Sequence, residues 1–349
     1  MPKPTSLVLG ATGFIGRWLV LELLTQGHPV AAGVRGGAER DGELRGWLRD
    51  HGAEDGALTT VAVDIARPGL GLAPEDEERL GAVRDVFNLA ALYRFGLSRE
   101  EARAANVDGA ANAVRWAATR PGLRRLVHLS GYRVGGHEAP LPPERADRLY
   151  RTLGAYEASK VEGDTVVRVL APELGVPLTV VSPSTVIGHS VTGEAGQYIG
   201  LAPMVEQLWS GRLPALAGSR RTFVPVVAID HLARLLAAAP VHDEGAVRHH
   251  VVLDPATPEL PMLIALLAQH LKVRAPRLIL PVGLVRRLPR ALTGVEPETL
   301  SFLSEDRYDT SSADRLAAAA GLRHPPVDEL LRRWADRLVV EGFGSATGR

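Results

Sequence analysis

Tyr156 and Lys160 stand four residues apart in the run Tyr156-Glu157-Ala158-Ser159-Lys160, a spacing that places both side chains on one face of a helix. A free tyrosine, with a pKa near 10, moves protons poorly at neutral pH. An ammonium beside it stabilises the phenolate, lowers that pKa and makes Tyr156 a usable acid or base. The same ammonium can hydrogen-bond the ribose of a nicotinamide nucleotide. Near the amino terminus, Gly10-Ala11-Thr12-Gly13-Phe14-Ile15-Gly16 sets three glycines between an apolar run and a helical pattern. Glycines so spaced let the chain turn tightly and let backbone approach a pyrophosphate, while the helix amino end supplies N–H donors and a positive dipole. Gly10, Thr12, Gly13, Phe14, Ile15 and Gly16 are the candidate contacts. The next apolar run closes Ala31-Ala32-Gly33-Val34-Arg35, with no acid before Glu39. An acid there would bind a ribose 2′-hydroxyl, whereas the planar guanidinium of Arg35 suits a 2′-phosphate, so NADP (NADPH) is expected over NAD.

These residues need a frame, and the hydrophobic pattern supplies one. Strands are expected at residues 6–9, 30–34, 58–63, 86–89, 126–129 and 178–181, with clear helices at 14–26, 100–118 and 155–170. Strands separated by helices imply an α/β fold with a Rossmann-type, doubly wound parallel sheet covered on both faces. Later helices are expected at 229–239, 261–271, 311–319 and 327–338, and strands at 223–227 and 249–253. The resulting division is a dinucleotide-binding domain over 1–187, with return segments near 223–254, and a smaller, mainly helical C-terminal substrate lobe over 188–349.

Composition narrows the function classes. Forty Lys and Arg balance forty Asp and Glu, which gives no general electrostatic reason to bind nucleic acid or an anionic membrane. The chain of 349 residues has no cysteine, so disulfides, thiolate metal sites and thiol catalysis are excluded. Eleven histidines form no clear metal-ligand spacing, and His249 and His250 would diverge on a strand, so no metal is expected. No cleavable signal precedes the first strand and no apolar run spans a bilayer, so a cytoplasmic location is expected.

The chain resembles the extended short-chain dehydrogenase/reductases over most of residues 5–240, and its wording is nearest the fatty-acyl reductase and thioester-reductase-like branch. The matching stretches, besides the glycine turn and Tyr156–Lys160, are Val63-Asp64-Ile65 with residues 68–74, Asn88-Leu89-Ala90-Ala91-Leu92-Tyr93, Asn106-Val107-Asp108-Gly109 and residues 223–230. The resemblance implies that Asp64 and Ile65 hold the adenine edge and that Leu89, Ala90 and Ala91 line the pyrophosphate and ribose. It implies that Asn106 stabilises the active-site backbone and a relay water, and that Pro183, Ser184 and Val186 cup the nicotinamide ring. Tyr93 follows the fourth strand's carboxyl end, the usual ligand edge, and is expected to line the substrate.

One departure matters. The family places a catalytic Ser or Thr where this chain has Gly131, in Leu129-Ser130-Gly131-Tyr132-Arg133-Val134. Ser130 through a local backbone change, Tyr132 reaching in, or a hydroxyl of the substrate itself could supply the missing donor, or the enzyme could be impaired. The leading expectation is an NADPH-dependent carbonyl reductase with Tyr156 as proton donor. The alternatives are an acyl-thioester reductase, a nucleotide-sugar epimerase or dehydratase, and a non-catalytic NADP-binding protein. Ser182 stands where an asparagine often helps hold a nucleotide-sugar, which weighs against the third. The expected partner is a small-molecule substrate, and the expected state a monomer or homodimer.

Overall fold

The computed structural model describes residues 2–92, 97–134, 139, 141–285, 287, 300 and 303–344. Contacts divide the chain into two compact units: Met1–Ser182 with Ala233–His250 and Ser312–Leu322, and Pro183–Leu232 with Val251–Ser311 and Arg323–Arg349.

The first unit alternates strand and helix as the apolar runs dictate. Its elements are β1 (Ser6–Leu9), α1 (Phe14–Thr25), β2 (Val30–Val34), α2 (Ala38–Asp50), β3 (Leu58–Ala62), α3 (Pro74–Arg79) and β4 (Asp85–Asn88). There follow α4 (Arg99–Arg103), α5 (Gly109–Ala118), β5 (Arg125–Leu129), α6 (Pro143–Glu173) and β6 (Leu178–Pro183). A later strand, Val247–Val252, completes a seven-stranded sheet beside β6, and the order from there runs β6-β5-β4-β1-β2-β3. The β1–β2, β2–β3, β1–β4, β4–β5 and β5–β6 pairs are all parallel. Every residue of β1, β2 and β6 is buried, because helices cover both faces of such a sheet. Leu7, Leu9, Val86, Leu126 and Leu178 from the strands pack with Val114, Trp116 and Val167 from α5 and α6.

Two departures from regular helix matter for the site. Between α4 and α5, Ala104–Asp108 winds as one π-helical turn, so the single helix expected over 100–118 carries a bulge of the kind that recurs at functional sites. Its amino end is fixed by a reciprocal capping box between Ser98 and Glu101. The helix α6 begins at Pro143, earlier than the expected 155, and breaks at Gly154, whose φ of 82° is in the region that favours glycine. A fresh helical run starts at Ala155, so Tyr156 sits in its first turn.

The second unit has its own core, in which Val205, Leu208, Leu263, Ile264, Leu267, Leu331, Trp334 and Leu338 are buried. These side chains come from helices Ala202–Trp209, Leu260–His270 and Val327–Val340. Two short parallel pairs, Thr185–Ile187 with Val226–Ala228 and Ala215–Ala217 with Leu278–Leu280, make up its strands.

Candidate active site

The carboxyl ends of β1 to β5 carry most of the residues singled out by sequence. This is the edge where open parallel sheets bind ligands, and β1 beside β4 marks the switch point. Gly10 leaves β1 with φ 80°, and Gly13 N–H donates to the Gly10 carbonyl at 3.0 Å. A Cβ on Gly10 would meet Ala90 N at 2.8 Å and Leu89 C at 2.9 Å, so the chain after β4 lies directly against the glycine turn. A Cβ on Gly16 would overlap the Gly10 carbonyl. The helix α1 that follows has no side-chain cap and no acid in its first turn, which leaves the N–H groups near Phe14, Ile15 and Gly16 to a ligand. With Thr12 beside them, these residues fit a pyrophosphate: glycine at 10 and 16 lets the turn close on itself and on the chain after β4, and the helix N–H groups are left uncapped.

The flanking residues are placed by the same strands. Arg35 is solvent-exposed just past β2, and the left-handed Gly36 and Gly37 follow it. Asp64, past β3, turns its carboxylate back to accept from Ala66 N–H at 3.1 Å. Ile65 is wedged against Gly109, where a Cβ would come within 2.8 Å, and its carbonyl accepts from Asn112 at 2.9 Å. Leu89, Ala90 and Ala91 extend from β4, and Tyr93 lies outside the described residues. Pro183, Ser184 and Val186 belong to the second unit, where Ser184 N–H donates to Val252 at 2.9 Å and its buried hydroxyl has no partner among the described residues.

Around Tyr156 the geometry is a brace. The wide π turn aims Asn106 so that its Oδ1 accepts from Leu92 N–H at 2.8 Å, while its Nδ2 donates to Leu92 O at 3.3 Å. The same amide donates to Ser159 Oγ at 2.9 Å, and Ser159 donates to the Tyr156 carbonyl at 2.8 Å. Asn106 thus ties the chain beyond β4 to the turn that carries Tyr156. Lys160 Nζ donates to Leu129 O at the end of β5, 3.0 Å away. Burial pushes the Lys160 ammonium down to about 8, and Asp164 acts in the opposite direction.

Ser130 continues from β5, with its N–H on Val181 O at 2.8 Å. Its hydroxyl is buried and has no hydrogen-bond partner among the described residues. Gly131 accepts from Val134 N–H at 2.9 Å, closing a turn with the half-buried Tyr132 inside it. Nothing in the spacing marks Ser159, although it lies within the Tyr156–Lys160 run. Gly163 is equally unmarked, yet its missing side chain lets α6 lie on the π turn: a Cβ there would overlap the Asn106 carbonyl. Gly163→Ala is therefore expected to cost about 1–3 kcal/mol in stability by overpacking. Chemical denaturation reads this directly, and an unchanged midpoint would mean the two helices part at no cost.

Among the described residues no cluster of three His, Asp or Glu could hold a metal, and no helix is long and apolar enough to cross a membrane. The sequence pattern of the NAD-binding family described as male sterility protein matches residues 8–236. The nonribosomal peptide synthetase FrzA of Cladobotryum sp is 26% identical over 95% of this chain, which corresponds to 36% of FrzA. The aldehyde reductase lnaA of Aspergillus flavus is 26% identical over 69% of this chain and 25% of its own length. The chain thus spans little more than a third of FrzA and a quarter of lnaA. Among solved structures, the terminal R domain from the myxalamid PKS-NRPS pathway superposes with a TM-score of 0.78 at 22% identity, covering 100% of this chain and 93% of that one. At that identity the likeness speaks for the fold.

Proposed function

Because the chain belongs to the male sterility protein family of the extended short-chain dehydrogenase/reductases, which are NAD(P)-dependent oxidoreductases of Rossmann type, we propose that it is an NADPH-dependent reductase of carbonyl compounds. The observation that carries the reading is the braced pair: Tyr156 held through Ser159 and Asn106, and Lys160 anchored on Leu129 O. The glycine turn would hold a dinucleotide, which would supply the hydride for the carbonyl carbon. Tyr156 donates its hydroxyl proton to the carbonyl oxygen, and the Lys160 ammonium stabilises the phenolate left behind. Ser130 supplies a hydrogen bond to the same oxygen; its buried, unpartnered hydroxyl supports that role. Gly10, Thr12, Gly13, Phe14, Ile15, Gly16, Leu89, Ala90 and Ala91 hold the pyrophosphate and ribose, with Asp64 and Ile65 at the adenine. Pro183, Ser184 and Val186 line the nicotinamide, and Tyr93 and Tyr132 the substrate.

Acyl-thioester reduction is a second reading, favoured by the match to FrzA over 95% of this chain. There the glycine turn would hold a dinucleotide able to supply one hydride to the thioester carbonyl carbon. The C–S bond would break, and the thiolate would take a proton to leave as thiol. The aldehyde could take a second hydride and the Tyr156 proton to become the alcohol. One experiment tests both readings: supply NADPH with a panel of aldehydes, ketones and acyl-CoA thioesters, and follow cofactor oxidation together with thiol release. The protein has no cysteine, so any new thiol comes from the substrate. Oxidation with aldehydes or ketones and no thiol from the thioesters selects the first reading. Thiol release selects the second, and no turnover with any of them removes both.

Exposed Arg35 past β2 supports NADPH over NADH. NADPH is expected to bind at least about tenfold more tightly, a difference of ~1.4 kcal/mol, and Arg35→Ala should erase most of that preference. Fluorescence titration of both nucleotides measures it. Equal affinities in the parent protein, or a ratio unmoved by the substitution, would remove the assignment.

A further inference from the structure

Below Lys160 the interior is polar, and the chemistry assigned so far does not use it. Asp164 follows Lys160 by one helical turn on α6, and its side chain has no exposure to solvent. Its Oδ2 accepts from Arg168 Nε at 2.7 Å in an ion pair whose cation is itself only 8% exposed. Asp164 Oδ1 and Arg168 Nη2 are both buried with no hydrogen-bond partner among the described residues. A buried pair with an open lone pair on one side and an open N–H on the other is expensive to maintain. Its position, one turn from the lysine of the site, calls for an explanation.

We propose that Asp164 is a positioning residue for the reaction: it keeps the Lys160 ammonium charged, and its ion pair with Arg168 limits how strongly it does so. The proposal rests on the Tyr156–Lys160 reading above. The groups that face this region are His128 from β5, His249 from strand Val247–Val252, and Tyr156, Asp164 and Arg168 from α6. His128 takes a hydrogen bond from Asn88 at 3.1 Å and is pushed down to about 3, first by burial and then by the Lys160 charge. His249 shares a hydrogen bond with Ser182 Oγ at 2.9 Å and is pushed down to about 4, first by burial and then by Arg168. Both imidazoles therefore stay neutral across the working pH range. The direct contact of Lys160, Leu129 O, is a neutral acceptor. That leaves Asp164 as the anion acting on the ammonium, opposing a burial effect that still holds it down at about 8 with the carboxylate in place.

The sign follows. Below about pH 8 Lys160 is charged. Without the Asp164 carboxylate, burial acts unopposed and the midpoint falls. A smaller fraction of Lys160 would then be charged at working pH, and the Tyr156 phenolate would lose support. Without Arg168, the carboxylate is no longer shared and the midpoint rises. A purely structural role for the pair would not move the midpoint in opposite directions.

The chain has three lysines, Lys3, Lys160 and Lys272, so carbon-13 lysine labelling gives few enough resonances for a direct NMR titration of Lys160 without cofactor or turnover. Arg168→Gln is expected to raise the Lys160 midpoint. Adding Asp164→Asn to that variant avoids an unpaired buried arginine and should lower the midpoint by about one unit or more relative to Arg168→Gln alone. Asp164→Glu, which restores the carboxylate, should leave Lys160 charged at pH 7. A midpoint that does not fall when Asp164→Asn is added overturns the proposal, as does one that falls with Arg168→Gln. The titration needs no catalysis, so it fails separately from the reading it rests on. That reading is lost if Tyr156→Phe keeps full activity.

Discussion

Tyr156→Phe should lower kcat for carbonyl reduction by about 10²–10⁴-fold, the range expected when a positioned proton donor is removed, while the dissociation constant for NADPH stays close to that of the parent protein. The substitution removes one hydroxyl and leaves the brace alone, since Ser159 bonds the Tyr156 carbonyl and Asn106 bonds Ser159. On the proposed mechanism, in which its ammonium serves the tyrosine and also the ribose, Lys160→Ala should harm both quantities. The pH profile carries the same information. With Lys160 at about 8, its charge is present below that value and lost above it. The kcat/KM for reduction should therefore decline as pH rises through about 8. Stopped-flow turnover and equilibrium cofactor titration on the two variants separate chemistry from binding. A Tyr156→Phe enzyme with the parent rate would mean that the proton comes from elsewhere.

How far such expectations could be read from the chain depends on the kind of residue. The strands Ser6–Leu9 and Val30–Val34 match their expected bounds because a parallel strand buried on both faces is a plain apolar run. The glycine turn and the Tyr156–Lys160 spacing were legible because local geometry alone fixes them. The helix Ala38–Asp50 and the first part of α6, Pro143 onward, were not foreseen: both are rich in charge and have little apolar stripe to mark them. The π turn at Ala104–Asp108 has no compositional signature, since it is a shift in backbone hydrogen bonding. Three-residue strands such as Thr185–Ile187 are too short for any period to show, and the strand expected over 223–227 begins only at Val226, with Phe223 in an isolated bridge to Ser304. In the site, Ser159 meets Asn106 across 53 positions and Asn88 meets His128 across 40. Such pairings belong to the tertiary fold, and no spacing rule reaches them.

The oxygen's second hydrogen bond gives the sharpest remaining test. Gly131 stands where a hydroxyl is expected, yet Ser130, one residue earlier, has a buried hydroxyl with no partner among the described residues. If Ser130 donates to the developing charge, Ser130→Ala should lower kcat/KM by about 10²–10³-fold, some 3–4 kcal/mol. Gly131→Ser fits the structure. A Cβ at that position meets only Val134 Cγ2 at 3.5 Å, an ordinary contact, and Gly131 has no left-handed φ to strain a side chain. Alone it should be close to neutral, because the donor is already in place. Added to Ser130→Ala it should recover part of the loss, since it restores a hydroxyl at the neighbouring position. Measuring kcat/KM for the two single variants and the double variant, on paired carbonyl substrates with and without an adjacent hydroxyl, completes the cycle. Should Ser130→Ala keep the parent rate, the donor lies elsewhere. A loss in Tyr132→Phe would then place it on the turn, whereas a loss on removing the substrate's own hydroxyl would place it on the substrate. In the second case a gain from Gly131→Ser alone, confined to substrates lacking that hydroxyl, would show that the protein leaves this hydrogen bond unfilled.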